Sequence, residues 1–163
     1  MSPLRATLGV IALLMAVFPA GASARQADSI FHNKRLWATV NVCDTVGHPD
    51  GIGVRAWMPG TGDRRDELFV RLQVQFLRRA DATWHALGGS GDSGFVDVGN
   101  GAARVRQSGR TFTLSPPAGG RPAFVLRGLV TFEWRRDDVV ERRARRTTSP
   151  SSRHSKVTTP RRR

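Results

Sequence analysis

One short string, Gly91-Asp92-Ser93-Gly94, carries the residue types of an activated nucleophile. Ser93 would attack a carbonyl if a histidine took its proton and a buried carboxylate oriented that histidine. His48 and His85 are the bases on offer. Neither lies in a context that marks a catalytic histidine, and four residues carry little weight without that geometry. Flanking glycines and an aspartate describe a hairpin loop equally well. The loop is the preferred reading, and a serine hydrolase using Ser93 is the remote alternative.

Metal chemistry has no better footing. The histidines His32, His48, His85 and His154 show none of the spacings that place two ligands on one helix or beside a cysteine pair. Asp50, Asp92 and Asp97 could join carbonyl oxygens around calcium, but their surroundings predict turns. No cofactor and no metal is expected. Cys43 is the single cysteine, which rules out an intramolecular disulfide. In an exported chain it suggests an intermolecular disulfide or a reactive thiol; otherwise it is a small apolar side chain at a strand end.

Two further groups suit binding rather than catalysis. Arg142, Arg143, Arg145 and Arg146, with Arg161, Arg162 and Arg163, could neutralise phosphates and release counterions from an anionic polymer. No aromatic residue interleaves with them, so they offer no platform for base stacking. A solvated edge strand and tail is the simpler reading. Trp37, Trp57 and Trp84 lie on short or alternating segments. Exposed, they would form a hydrophobic or carbohydrate-binding patch; the favoured reading packs them against the opposite sheet or a loop.

These residues must be positioned by an exported chain. Residues 1–24 read as a secretory signal: Arg5, an apolar run from Leu8 to Phe18, then Pro19, Gly21 and the small-residue pattern Ala22-Ser23-Ala24. The run is shorter than the roughly 20 residues of a membrane span, so the mature chain would begin at Arg25 with no transmembrane segment. The net charge of +13 is unevenly placed. Residues 25–141 hold 16 basic and 13 acidic side chains, whereas Arg142 onward holds nine basic ones and no acid. Residues 25–35 read as a linker and 36–146 as one domain. Residues 147–163, polar and Pro-bearing, read as a disordered basic tail.

Period-2 alternation predicts the domain to be all-β. Leu36, Ala38, Val40 and Val42 share one face, with Trp37, Thr39, Asn41 and Cys43 opposite. The segment Val46 to Gly51, which contains His48-Pro49-Asp50-Gly51, reads as a turn. Ile52, Val54, Ala56 and Met58 share the next face, and Pro59 to Asp63 form another turn. The clearest strand is Glu67 to Arg78, with Leu68, Val70, Leu72, Val74 and Phe76 inward. Shorter strands are predicted at Thr83–Leu87, Gly94–Val98, Ala103–Arg106 and Thr111–Leu114. A long strand follows from Phe124 to Trp134, with Gly128 on its apolar face marking a bulge or a close contact. Arg135 to Asp138 is a polar turn, and Val139 to Arg145 an edge strand. Seven or eight short strands at regular spacing predict an antiparallel two-sheet sandwich, with a barrel as the alternative.

The stretch from Trp37 to Arg146 resembles a group of uncharacterised secreted bacterial proteins with an immunoglobulin-like β-sandwich. The resemblance is carried by Trp37-Ala38-Thr39-Val40-Asn41-Val42-Cys43-Asp44, His48-Pro49-Asp50, Asp92-Ser93-Gly94-Phe95-Val96, Arg106 to Phe112 and Leu126 to Trp134. It implies fold and export, and brings no catalytic residue with it. Members of that group tend to have a second cysteine near the C-terminus, which this chain lacks, so its tail would be a divergent, truncated or frameshifted end. The Gly91–Gly94 string also resembles the nucleophile segment of trypsin-like proteases, but Phe95-Val96 follows where those continue Gly-Pro. The antibody-type Cys…Trp…Cys framework is missing, and Phe124 stands roughly where a corner tyrosine would. The expected function is a non-catalytic extracellular or cell-surface interaction module. Its partner would be a protein or a cell-envelope polymer, and a secreted polyanion binder is the alternative.

Overall fold

The computed structural model describes residue 30, residues 32–115 and residues 123–152. The proposed signal, His154 and Arg161 to Arg163 lie outside them. The described chain is all-β and antiparallel. It forms β1 (Trp37–Thr45), β2 (His48–Pro59), β3 (Glu67–Arg78), β4 (Thr83–Ala86), β5 (Asp92–Asn100), β6 (Val105–Thr113), β7 (Val125–Arg136), β8 (Val139–Thr147) and β9 (Ser151–Ser152). Among these residues no helix is long and apolar enough to cross a membrane.

The strands lie in two sheets. The smaller has the order β1-β2-β6. In the larger, β3 and β7 are central. β4 pairs with the C-terminal part of β3 and β5 with its N-terminal part, so the two form one interrupted rank along a single edge. β8 and β9 do the same along β7. The nine strands therefore occupy seven ranks, three against four.

The alternating residues explain the layering. Ile52, Val54, Ala56 and Met58 of β2 are wholly buried, as are Leu68 and Val74 of β3 and Val130, Phe132 and Trp134 of β7. A strand with one apolar face must cover it, and here the two sheets cover each other in a sandwich-like core. Trp134 ties the layers together: its Nε1 donates to the Pro59 carbonyl at 3.0 Å.

Gly128 sits on the core face of β7, where a Cβ would come within 2.8 Å of Val54 Cγ1 and 3.0 Å of Thr148 Cγ2. The close contact predicted there is real: glycine sets how near the sheets approach. Gly128→Ala is expected to cost about 1–3 kcal/mol through overpacking, read as a lower urea midpoint with an unchanged slope.

Several boundaries differ from the sequence reading. The first turn is Val46-Gly47, and His48-Pro49-Asp50-Gly51 already belongs to β2. Pro49 is tolerated because it lies next to the strand start, and Asp50 takes a positive φ of 56°. β1 contains a register shift between Val40 and Val42. Asn41 is the extra residue, and a bulge moves all that follows to the other face. Val42 consequently turns outward and Cys43 pairs with Ile52, on the core side. The segments predicted at 103–106 and 111–114 are one strand, β6, because Ser108-Gly109 continues the ladder instead of turning.

The domain also begins earlier and ends later than predicted. Ile30, in the predicted linker, is buried in the core. Thr147 and Ser151–Ser152, in the predicted tail, pair with β7, and Thr148 is buried between them. Thr148 exchanges bonds with Gly128: its Oγ1 accepts from the Gly128 N–H and its N–H donates to the Gly128 carbonyl, each at 2.9 Å.

Candidate functional site

Directly opposed residues of an antiparallel ladder share a face. Trp37, Trp57 and Gln107 thus form one row across β1, β2 and β6, and Thr39, Arg55 and Gly109 form the next. Ile52, Val54, Ala56 and Met58 alternate with these positions and point into the core, so both rows face outward. The two indoles are half-buried, with centroids 5.1 Å apart and planes inclined by 34°. The orientation of Trp57 is held by a single oxygen. Gln107 Oε1 accepts from Trp57 Nε1 at 2.9 Å and from Arg55 at 3.2 Å. Gly109 contributes no side chain, so the Arg55 stem lies across that place. Arg55 is the one charged residue among the outward ladder positions of this sheet.

The larger sheet presents an outer face of another kind. Glu133 is fully buried beneath two guanidinium groups. Arg135 donates to its Oε2 at 2.9 and 2.6 Å, and Arg143 to its Oε1 at 2.7 and 2.5 Å. Arg135 also lies 4.0 Å from the ring centre of Phe69 and 5.0 Å from that of Phe95. Trp84 is on this sheet, covered by Arg127 at 4.2 Å. Trp37 and Trp57 therefore meet, and Trp84 stands apart.

The arginine run does not form one patch. Alternation sends Arg143 and Arg145, opposite Glu133 and Thr131, to the outer face. Arg142 and Arg146, opposite Trp134 and Val130, flank Ala144 on the core side of the edge. Arg143 is already committed to Glu133, while Arg145 remains exposed.

Ser93 is placed by its backbone neighbours. Its Oγ accepts from the Leu72 N–H at 2.8 Å and donates to the Gly94 carbonyl at 2.7 Å. It bridges β3 and β5 where their register shifts between Arg71 and Gln73. The string is thus the start of a strand rather than a hairpin loop, and Gly94 supplies the positive φ of 66° there. Asp92 accepts from Arg71 at 2.9 and 2.5 Å, from Gln73 at 2.9 Å and from the Gly94 N–H at 2.9 Å. His85 instead meets Thr83 Oγ1 at 2.7 Å and the Phe76 ring. Among the described residues no group of three or more His, Cys, Asp or Glu side chains is placed to hold a metal. Asp97, expected in a turn, lies within β5 beside the register shift between Leu68 and Phe69, where it accepts from the Gly99 N–H at 2.7 Å.

The ion pairs predict an acid response. The hydrogen bond from Arg71 holds the Asp92 carboxyl below its ordinary range, against a smaller opposing effect of burial. Hydrogen bonds from the Arg65 side chain and N–H bring Asp63 down to about 2. A carboxylate lowered on folding stabilises the native state at pH values above its unfolded pKa of about 3.9 and loses that contribution as pH falls through the folded value. Stability is expected to be flat from neutrality to about pH 5 and to fall steadily below about pH 4. Urea midpoints across pH 2–7 measure it, and Asp92→Asn should flatten the acid limb.

Comparison with protein-family models and with curated proteins finds no match for this chain.

Proposed function

We propose that the chain is an exported, non-catalytic interaction module that binds an extracellular or cell-envelope partner through the outer face of β1-β2-β6. The observation that carries this is the Trp37–Trp57 pair, in contact outside the core, with Trp57 fixed by Gln107. Large aromatic side chains kept half-open on a sheet face suit contact with something beyond the chain. Export rests on the pattern of residues 1–24.

An immunoglobulin-like layout is part of the same reading, as is kinship with the secreted bacterial group. Seven ranks divided three against four support it. Compared with the seven-strand constant-type arrangement, the fourth rank, β4 with β5, lies beside the third instead of beside the fifth. Phe124 takes the corner position and packs edge-on against Phe76 at 6.2 Å, where a tyrosine would add a hydroxyl.

The polyanion reading retains exposed Arg145 together with Arg161, Arg162 and Arg163. The two readings separate in sedimentation of the mature chain with washed bacterial envelopes. Truncation is made after Ser152, because β8 and β9 belong to the sheet. Binding that survives this truncation and raised salt supports the module. Binding lost under both supports the polyanion reading, since counterion release makes such affinity fall steeply with salt. Covalent labelling by a serine-directed reagent, abolished in Ser93→Ala, would replace both with a hydrolase.

A further inference from the structure

We propose that the ligand of the β1-β2-β6 outer face is a neutral glycan chain, with sugar rings lying on Trp37 and Trp57. This deepens the reading of that face as a binding surface and depends on it. The first argument is shape and polarisation. A pyranose ring presents weakly positive C–H groups on its flat side, and the π face of an indole is negative. The two indoles meet at 5.1 Å with planes inclined by 34°, so each offers the outward part of its face and edge to such a ring. The orientation of Trp57 is set before binding by its bond to Gln107, and Trp37 rests against Trp57, so little side-chain freedom is lost on association.

The second argument is the polar rim. Sugar hydroxyls donate and accept, and the rim supplies both. Gln107 uses only Oε1 in the described contacts, which leaves its amide N–H groups as donors. Arg55 has no carboxylate partner among the described residues and keeps further N–H groups at the edge of the indoles. The Thr111 hydroxyl, on the same face, can accept.

Charge and apolar content count against the obvious competitors. Arg55 is the only charge among the outward ladder positions, in a chain where 24% of residues are charged. A polyanion would select several cations. A second protein, or another copy of this chain, would need an apolar interface centre. The exposed large apolar residues Phe95, Val96, Val139 and Val140 are on β5 and β8, and Val46 is in the first turn. None adjoins the indoles on this face.

The test is native affinity electrophoresis of the mature chain in gels containing neutral polysaccharides, namely β-glucan, xylan, mannan and galactan, with soluble chitin oligosaccharides followed by tryptophan fluorescence. At least one should retard the chain or shift its emission. Trp37→Ala and Trp57→Ala should each weaken that binding about tenfold, the order expected for losing one aromatic contact. Trp57→Phe should keep most of it, and Trp84→Ala should leave it unchanged. Thermal melts establish that each variant is folded. The inference is overturned if no neutral glycan acts on the parent, if the double alanine variant binds as well as the parent, or if light scattering shows a dimer that the double variant dissolves. Envelope sedimentation separates the two levels. Binding there that needs both tryptophans, with an empty glycan panel, ends the glycan inference and leaves the face standing. Binding indifferent to both ends the reading of the face itself.

Discussion

Arg135→Ala/Arg143→Ala is expected to lower folding stability by about 1–3 kcal/mol, because it removes both charged hydrogen-bond partners of the Glu133 carboxylate together with the side chains that cover it. That carboxylate has no exposure, and each of its oxygens is held by one guanidinium. The two arginines should not contribute equally. Arg135 is 21% exposed and also covers Phe69 and Phe95, whereas Arg143 is 52% exposed and more screened by water. Arg135→Ala alone should therefore be the more costly single change. Adding Glu133→Leu to the double variant should recover much of the loss, since a well-packed apolar residue often replaces a buried ion pair at little cost. Urea unfolding of the four proteins measures the cycle. A double variant within about 1 kcal/mol of the parent would mean that water reaches the carboxylate and the pairing is of the ordinary surface kind.

The second large effect is expected at Trp134. Trp134→Ala removes the largest wholly buried side chain of the core and should cost about 3–5 kcal/mol. Against a total stability of about 5–15 kcal/mol for a domain, much of the population would unfold on mild warming. Trp134→Phe keeps most of the packing but leaves the Pro59 carbonyl without its donor. Its expected cost is about 1–3 kcal/mol, the desolvation penalty of an unpaired acceptor. Thermal melts of both variants check the order. Equal losses would place the energy in the hydrogen bond, and no loss in Trp134→Phe would place it wholly in packing.

The core was legible where alternation ran without interruption. Glu67 to Arg78 was delimited to the residue, and the inward sets of β2 and β7 follow directly from their spacing. Legibility failed where one residue changed the phase. Asn41 is a poor strand former, but nothing local shows that it bulges; its partner strand decides that. His48-Pro49-Asp50-Gly51 has stronger turn chemistry than Val46-Gly47, yet the ladder to β6 holds it in a strand. The tail from Thr147 has a disordered composition, but Thr148 finds two bonds on Gly128 that composition cannot reveal.

The candidate face was half legible. The alternation placed Trp37 and Trp57 off their core faces. That they meet depends on the register across the first hairpin, whose turn is tighter than the segment Val46 to Gly51 suggests. Gln107 was not singled out at all, because its role exists only once β6 pairs with β2. Glu133 was missed for a similar reason. An acid between Phe132 and Trp134 is the available signal, but its burial comes from arginines on β7 and β8 that close over it.

The pairing of β3 with β7 has a consequence for how the chain reaches its native state. Phe76 must wait for Leu126, and Glu67 for Arg135, while β4, β5 and β6 are made between them. Distant pairings of this sort fold slowly, because the intervening chain must be closed into a loop before any contact repays it. Until β7 arrives, the row Leu68, Val70, Leu72 and Val74 lacks its principal partner strand and is open to unwanted neighbours. A chain that emerges N-terminus first is thus most exposed to aggregation between the appearance of β3 and that of β7, and assistance directed at β3 during that interval would raise the yield of folded protein more than assistance at either end.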